Sequence, residues 1–265
     1  MPPPPASPAQ DEIPILHPDD TRVVTVAVPR LISDVGPYPQ EPLSGAMPVR
    51  KRVFDVVFAA ASAVLWVPAT ALAALAILVA DGRPIFYRSR RRVFRDESAI
   101  VVKLRTMVRG ADKIANRETI AVSDQRFLNI PPDSQLYTPI GRLIERFHLT
   151  EIPQFAHVLS GRMSLIGSRP LPENVIESLR EKFPAVEARF AQRCGMTGPI
   201  QLIGRASIPD ATRLDLESAY CRVCETRYSM CLDLTILAQT VLVALRLRPG
   251  LSVEEVRRLL DRGAR

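Results

Sequence analysis

The chain is poor in the residues that build disulfide frameworks and zinc sites. Its 265 residues include 4 cysteines and 3 histidines. Cys221 and Cys224 form a C-x-x-C pair, but neither a second pair nor a nearby histidine accompanies them. This pattern disfavours a disulfide scaffold, a metal site and a redox site, each of which needs more ligands at defined spacing. We expect these two cysteines to be small residues one turn apart on a helix.

Signals for secretion and for nucleic-acid binding are also lacking. Met1–Pro8 has neither a basic start nor an apolar core, so no secretory signal peptide is expected. The net charge is +7, but the arginines cluster beside an apolar segment instead of alternating with aromatic residues along a stripe. That placement is typical of contacts with a membrane surface and with phosphates, and no nucleic acid is expected as a partner.

Charge is almost absent from residues 53–80, where Asp55 is the one ionisable residue. An unbroken helix of this length would measure about 42 Å, more than the roughly 30 Å of a hydrocarbon core. Pro68 removes a backbone donor near the middle, so we expect the membrane anchor to kink or break there. Basic residues flank the run on both sides: Arg50, Lys51 and Arg52 before it, and Arg83, Arg88, Arg90, Arg91, Arg92 and Arg95 after it.

The two basic flanks favour an anchor that enters and leaves the membrane on one side. A simple span would put one cluster outside, against the preference of Lys and Arg for the cytoplasmic side. A bend at Pro68 would keep both clusters beside the anionic lipids of the cytoplasmic leaflet. Each arm is then too short to cross, at about 23 Å for Val53–Val67 and about 18 Å for Ala69–Ala80. A plain tilted span and a buried core helix are the alternatives.

Composition divides the chain into four parts. Residues 1–48 hold 12 of the 24 prolines and predict a flexible N-terminal arm with room for one short strand or docking segment. Residues 49–82 form the anchor, and residues 83–248 form a folded domain. Residues 249–265 form a C-terminal amphipathic helix opened by the capping box Ser252-Val-Glu-Glu255.

The folded domain is predicted to be mainly helical. Short apolar runs at residues 84–87 and 99–104 predict a small β-pair, whereas the later segments are helical. The predicted fold class is therefore mainly α with a small β element (α+β). Together with the anchor, it describes a monotopic membrane protein with a re-entrant, proline-kinked helix and interfacial helices.

Basic residues near the middle of the chain suggest a phosphate site. Lys103 and Arg105 are two apart, so on a strand both would point to one face and, with Thr106, could hold a diphosphate. A solvated basic strand is the alternative. Arg169 precedes Pro170, which limits it to extended geometry and gives a pre-set guanidinium suited to binding an anion.

A set of motifs in one order resembles a known family. They are Lys51-Arg52-x-Phe54-Asp55, the apolar run with Pro68, Lys103-x-Arg105-Thr106-Met107, Gly141-Arg142-Leu143, Leu149-x-Glu151-Ile152-Pro153-Gln154, Met163-Ser164-Leu165-Ile166-Gly167-x-Arg169-Pro170 and Met196-Thr197-Gly198-x-x-Gln201. From about Lys51 to Val241 the chain resembles the bacterial sugar transferases, the monotopic polyprenyl-phosphate phosphoglycosyl transferases.

The resemblance implies an enzyme at the cytoplasmic face of the bacterial inner membrane. Members of the family use Mg²⁺ and transfer a sugar-1-phosphate from a nucleotide diphosphate sugar, such as a UDP-sugar, to polyprenyl phosphate, which starts polysaccharide or glycoconjugate synthesis. The resemblance makes Glu151 the metal-binding residue. It assigns substrate-phosphate binding to Lys103, Arg105, Arg169, Arg91 and Arg142.

The family's catalytic Asp-Glu pair is Thr150-Glu151 in this chain, so the expected nucleophile is replaced. A threonine hydroxyl needs a base and gives a poor phosphoryl donor. Three hypotheses remain open: a working transferase with an altered nucleophile position, a catalytically impaired relative, or an unrelated membrane-surface binder. The impaired relative would act as a membrane-docked scaffold or regulator of an active transferase, with a second copy or a paralogue as its partner.

Two histidines and one acidic residue near this pair bear on those hypotheses. His148 is two residues from Thr150, and on a helix or extended turn this spacing points the two side chains apart. We expect His148 and His157 to have surface or packing roles. Glu145 stands where the family usually has an arginine, which reverses a charge near the expected phosphate site.

Overall fold

The computed structural model describes residues 12–16, 23–27, 47–111, 134–204 and 208–263, and the chain divides into the units Met1–Glu41 and Pro42–Arg265. In the first unit, strands β1 (Glu12–Leu16) and β2 (Val23–Ala27) pair antiparallel with Glu12 opposite Ala27. The sequence left room for one strand here, and the described residues contain two. Most of the predicted flexible arm lies outside the described residues, so its flexibility stays a prediction.

Two consecutive helices form the apolar segment of the second unit. Helix α1 runs from Val49 to Ala61 and helix α2 from Ala63 to Ala80. Within the described residues, α2 alone is long and apolar enough to cross a membrane, by length and composition, and 11% of it is buried in the protein. Apolar side chains such as Val64, Leu72 and Val79 are 76%, 69% and 79% exposed.

The break between α1 and α2 lies at Ser62, so the chain does not break at Pro68, and the other expectation, a kink at Pro68, stays a prediction. Pro68 lies inside α2, where its ring crowds the carbonyl four residues earlier and removes one donor. The helix is interrupted just before that turn. The Ser62 hydroxyl donates to the Phe58 carbonyl at 2.7 Å, and the Trp66 indole N–H donates to the Ala59 carbonyl at 2.9 Å. The Phe58 carbonyl also accepts from the Ser62 N–H, whereas the indole bond gives the Ala59 carbonyl a partner at the end of α1.

The predicted β-pair is confirmed, with longer strands than expected. Strand β3 (Phe86–Phe94) pairs antiparallel with β4 (Glu97–Leu104), and Phe86 lies opposite Leu104. A register shift between Arg92 and Phe94 precedes the turn. A second, short pair is parallel: β5 (Ser164–Ile166) lies beside β6 (Gly195–Thr197).

The remaining described elements are helical. They are α3 (Pro139–Arg146), a 3-10 helix at Ile152–Gln154, α4 (Phe155–Leu159), α5 (Glu173–Arg180), 3-10 helices at Pro184–Phe190 and Pro199–Ile203, α6 (Asp210–Arg227), α7 (Met230–Ala244) and α8 (Val253–Gly263). At α8 the Ser252 hydroxyl accepts from the Glu255 N–H at 3.2 Å, and the Glu255 carboxylate accepts from the Ser252 N–H at 2.8 Å. The predicted capping box is therefore confirmed. The described residues are mainly helical with small sheets, which confirms the α+β class.

Apolar residues from most of these elements meet in one core. Ala59 of α1, Val101 of β4, Leu165 of β5, Leu216 of α6 and Ile236 of α7 belong to one buried cluster. A separate cluster joins the far end of α2 to the domain through Ile77, Leu104 and Ile144. Both helices of the apolar segment therefore pack against the folded domain.

A buried ionic network fastens the start of α1 to the domain. The Lys51 ammonium group donates to Asp233 Oδ2 at 2.8 Å and to the Tyr220 hydroxyl oxygen at 2.9 Å. Tyr220 donates to Asp233 Oδ1 at 2.6 Å, and Tyr228 donates to Asp233 Oδ2 at 3.1 Å. Lys51 and Asp233 are 0% and 1% exposed, so neither charge can be solvated by water if its partner is removed.

We expect Lys51→Met to destabilise the fold by about 3–5 kcal/mol, because it leaves the Asp233 carboxylate buried without its counter-charge. Unfolding of the detergent-solubilised protein by denaturant measures this loss. Glu97→Gln is the matched control, since it removes a partly exposed ion pair with Arg193 and should cost below about 1 kcal/mol. Equal, small losses in the two variants would show that the network does not hold α1 in place.

Candidate functional site

A small, open cleft lies beside the β3–β4 hairpin. The hairpin forms one wall, and the chain at Glu151–Gln154, Arg169–Pro170 and Gly195 forms the rest. Its lining residues are Tyr87, Ser89, Arg91, Val101, Lys103, Glu151, Gln154, Arg169, Pro170 and Gly195. Most of them are polar or charged, which indicates a site for a polar ligand.

Strand alternation brings two of the predicted basic residues into the cleft. Tyr87, Ser89 and Arg91 are two apart on β3 and so share one face of the hairpin. Lys103 lies opposite Tyr87 in the register, and its ammonium nitrogen is 5.2 Å from the centre of the Tyr87 ring. Arg91 donates to the Pro170 carbonyl at 3.0 Å, which joins the hairpin to the opposite wall.

Glu151 and Arg169 form a two-pronged ion pair in the cleft. Arg169 Nη1 donates to Glu151 Oε2 at 3.2 Å, and Arg169 Nη2 donates to Glu151 Oε1 in a closer contact. The Glu151 and Arg169 side chains are 29% and 39% exposed. A partly exposed pair of this kind remains open to a ligand that competes for either partner.

The charges in the cleft act on one another. Burial works to raise the pKa of Glu151, but the charge and hydrogen bonds of Arg169, followed by Lys103 and Arg91, outweigh it and lower that pKa. Burial lowers the pKa of Lys103, whereas the Glu151 carboxylate raises the pKa of Arg169. Three basic residues surround one carboxylate, so the cleft carries an excess of positive charge and suits an anion.

Thr150 lies beside this cleft but does not line it. Its side chain is 4% exposed, and its hydroxyl oxygen is buried without a hydrogen-bond partner among the described residues. Its carbonyl accepts from the Leu104 N–H at 2.9 Å, which anchors the backbone next to Glu151. Within the described part of the chain no base is at hydrogen-bond distance from this hydroxyl, so no described side chain activates it as a nucleophile.

The structure separates Arg105 from Lys103, so the prediction that they share a face was wrong. Strand β4 ends at Leu104, and the alternation of side chains ends with it. The Arg105 guanidinium instead donates to the carbonyls of Asp81 and Gly82 at 3.0 and 2.8 Å. It therefore binds the carbonyl end of α2 and does not line the cleft.

Arg142 also lies away from the cleft lining. It occupies α3, and its side chain is exposed. The motif that contains it has a local structural role, since Gly141 packs directly on Thr106, where an added Cβ would lie 1.9 Å from the carbonyl oxygen. Glu145, one turn further along α3, accepts from the Thr106 hydroxyl at 3.2 Å.

The expected packing role of His157 is confirmed. Its Nε2 accepts from the Val102 N–H at 3.2 Å, and its side chain is 7% exposed. Burial, with the nearby Arg162 charge, lowers its pKa and favours the neutral ring that this bond requires. His148 is exposed on a left-handed turn with φ of +56°.

Two residues that line the cleft, Tyr87 and Gln154, were not predicted as site residues. The buried ion pair of Arg189 and Glu217 behind the cleft was also missed. Tyr87 could have been found from its strand spacing, because it lies two residues before Ser89 and four before Arg91. Glu217 could have been found because it lies on a face of α6 whose other members, such as Leu214, Tyr220 and Cys221, are buried. A carboxylate on a buried helix face normally has a specific partner.

Comparison with known proteins places these features in a family. The bacterial sugar transferase family matches residues 46–247. The chain is 28% identical over 197 residues to the exopolysaccharide production protein ExoY of Sinorhizobium fredii (strain NBRC 101917 / NGR234), covering 73% of this chain and 84% of that protein.

Two further relatives are named UDP-glucose:undecaprenyl-phosphate glucose-1-phosphate transferase. The protein from Caulobacter vibrioides is 33% identical over 171 residues, covering 64% of this chain and 58% of the relative. The protein from Escherichia coli (strain K12) is 29% identical over 213 residues, covering 78% and 42%. This chain thus spans about half the length of these two transferases. Because the family match covers most of the sequence, the chain belongs to the bacterial sugar transferase family.

Proposed function

We propose that this protein transfers a sugar-1-phosphate from a UDP-sugar to polyprenyl phosphate and so starts the synthesis of a polysaccharide or glycoconjugate. The observation that carries the proposal is the positively charged cleft around Glu151, formed by Arg91, Lys103 and Arg169. Relatives named as undecaprenyl-phosphate transferases support the choice of substrates.

The cleft residues have separate tasks in binding the nucleotide diphosphate. Arg169 is suited to hold two phosphate oxygens through its planar fork, whereas Lys103 supplies a compact charge. Arg169 is paired with Glu151. A diphosphate that takes over Arg169 therefore frees the two oxygens of Glu151.

The donor set fits Mg²⁺ held jointly by protein and substrate. Mg²⁺ commonly uses one or two carboxylates and completes its shell with water and substrate phosphates. Glu151 is the acidic residue of the cleft lining, and the described part of the chain has no group of three or more His, Cys, Asp or Glu residues able to hold a metal alone. Mg²⁺ bound to Glu151 would offset the charge of the diphosphate.

The transfer needs a nucleophile, and Thr150 is poorly suited because its hydroxyl is buried and unactivated. We therefore propose that an oxygen of polyprenyl phosphate attacks the sugar-linked phosphorus directly. A new P–O bond forms, the P–O bond to the nucleoside monophosphate breaks, and the monophosphate leaves with the electron pair. The attacking phosphate is already ionised, so the step needs no general base.

We expect Glu151→Gln to lower kcat about 100-fold or more, because it removes the carboxylate that would bind Mg²⁺ together with the diphosphate. Thr150→Ala should stay within about 3-fold of wild type, since its hydroxyl makes no hydrogen bond to the described residues. Transfer of radiolabelled sugar phosphate to undecaprenyl phosphate measures both effects.

Other outcomes of this assay would contradict the proposal. Loss of activity in Thr150→Ala, or labelled protein formed without lipid acceptor, would point to a covalent intermediate. Absence of product with every sugar nucleotide, together with activity gained in Thr150→Asp, would identify a lapsed enzyme that acts as a scaffold or regulator.

A second set of variants separates cleft arginines from structural ones. Arg169→Lys should lower kcat/KM about 10- to 100-fold, because lysine cannot form the fork. Arg142→Gln, on the exposed side of α3, should leave kcat/KM within about 2-fold. Arg105→Gln should cost about 1–3 kcal/mol of stability through the lost bonds to the Asp81 and Gly82 carbonyls just after α2, with little change in kcat/KM of the folded protein. Equal losses of kcat/KM in all three variants would contradict the assignment of Arg169 to substrate binding and of Arg105 and Arg142 to other roles.

We further propose that α1 and α2 form a re-entrant anchor on the cytoplasmic face of the inner membrane. Lys51 bonds to Asp233 and Tyr220 before the apolar segment, and Arg105 bonds to the Asp81 carbonyl after it. Both ends therefore contact the same folded unit. A spanning segment would hold its ends about 30 Å apart on opposite sides of the membrane, which these contacts disfavour.

Labelling of single cysteines tests this topology. In a Cys231→Ser background, which removes an exposed native cysteine, Arg50→Cys and Arg83→Cys place one thiol on each flank of the anchor. We expect a membrane-impermeant maleimide to label neither in intact spheroplasts and both after permeabilisation. Labelling of one flank alone in intact spheroplasts would indicate a simple span.

A further inference from the structure

A buried ion pair behind the cleft binds both backbone polar groups of Arg169. Glu217 Oε1 accepts from the Arg169 N–H at 3.2 Å. Glu217 Oε2 accepts from Arg189 Nε at 2.6 Å, and Arg189 Nη2 donates to the Arg169 carbonyl at 2.8 Å. One pair of side chains therefore holds the N–H and the C=O of the same cleft residue.

Burial restricts the hydrogen-bond geometry of the Arg189–Glu217 pair. Arg189 and Glu217 are 0% and 1% exposed, so water cannot take the place of either partner. Hydrogen bonds to charged groups are stronger than neutral ones, and more so away from water. Pro170 follows Arg169 and restricts its backbone further. The contacts of Glu217 and Arg189 with the Arg169 backbone therefore determine the direction in which the Arg169 side chain extends.

A role in fold stability alone would not require this arrangement. A buried ion pair is often no better for stability than apolar residues of the same volume, although loss of one partner is costly. Here the polar contacts of the pair converge on the residue whose guanidinium binds Glu151. Small displacements of a charged group in an active site can reduce rates about 100-fold.

We infer that Glu217 and Arg189 are positioning residues for Arg169, which they hold in the orientation that lets its guanidinium meet the substrate phosphates. They do not line the cleft, and their hydrogen bonds to Arg169 go to its backbone. This inference rests on the proposed function for its catalytic consequence, but the clamp on the backbone can be tested without it.

Two conservative variants keep the buried charges and disturb the clamp. Glu217→Asp retains the carboxylate for Arg189 but shortens its reach to the Arg169 N–H. Arg189→Lys retains the charge for Glu217 but removes the second donor, which binds the Arg169 carbonyl. Asp215→Asn is the matched control. Asp215 lies on the same helix as Glu217, and the change breaks its partly buried ion pair with Arg257 without touching Arg169.

Amide hydrogen exchange tests the clamp in the protein without substrate. We expect the peptide covering residues 166–171 to exchange faster in Glu217→Asp and Arg189→Lys than in wild type. The control Asp215→Asn should leave exchange of this peptide unchanged. Unchanged exchange in both clamp variants would overturn the inference, whether or not the protein is an active transferase.

A double-mutant cycle tests the catalytic consequence. Glu217→Asp should lower kcat/KM about 10- to 100-fold in the wild-type background, but less than about 3-fold when Arg169→Lys has already removed the fork. Equal factors in the two backgrounds would show a merely structural role and overturn the inference. If wild type makes no product with any sugar nucleotide, the proposed function fails, and the exchange measurement alone decides whether the clamp exists.

Discussion

The contact of Lys51 with Asp233 and Tyr220 is the interaction on which the rest of this structure depends. It joins the first turn of an apolar helix to two helices near the end of the chain, across 182 residues of sequence for Asp233. Because the charges are buried, they restrict where α1 can pack more sharply than apolar contacts would. Helix α2 follows α1 directly and contacts the domain again through Ile77.

The ion pairs of the protein differ in burial in a way that matches their tasks. Lys51–Asp233 and Arg189–Glu217 are almost completely buried, so they remain paired and hold backbone segments in place. Glu151–Arg169 is about one-third exposed, so a phosphate or a metal ion can compete for its members. A site whose charged groups must exchange partners during a reaction needs a partly exposed ion pair. Buried ion pairs behind the site can then hold the backbone in place.

Several features could be predicted from local patterns. The β3–β4 hairpin and the capping box at Ser252 depend mainly on neighbours in the sequence, and both were found there. The packing role of His157 was also expected, although its bond to Val102 joins residues 55 positions apart. Pro68 and Arg105 show the limit of that reasoning. Pro68 predicts a disturbed helix, but the helix is interrupted at Ser62, where the Ser62 hydroxyl and the Trp66 indole bond to carbonyls of α1. Arg105 comes after Lys103 at strand spacing, but the strand ends between them.

The residues alone determine the chemistry that the chain can offer: an apolar segment with basic flanks, a set of arginines and lysines, and the adjacent Thr150 and Glu151. Which of those charges act together is a matter of packing. The hairpin register brings Arg91 and Lys103 to Glu151, α6 brings Glu217 behind Arg169, and Arg105 turns to the end of α2. Such contacts join residues tens of positions apart, and no local pattern encodes them, because they exist only once the helices and strands share one core.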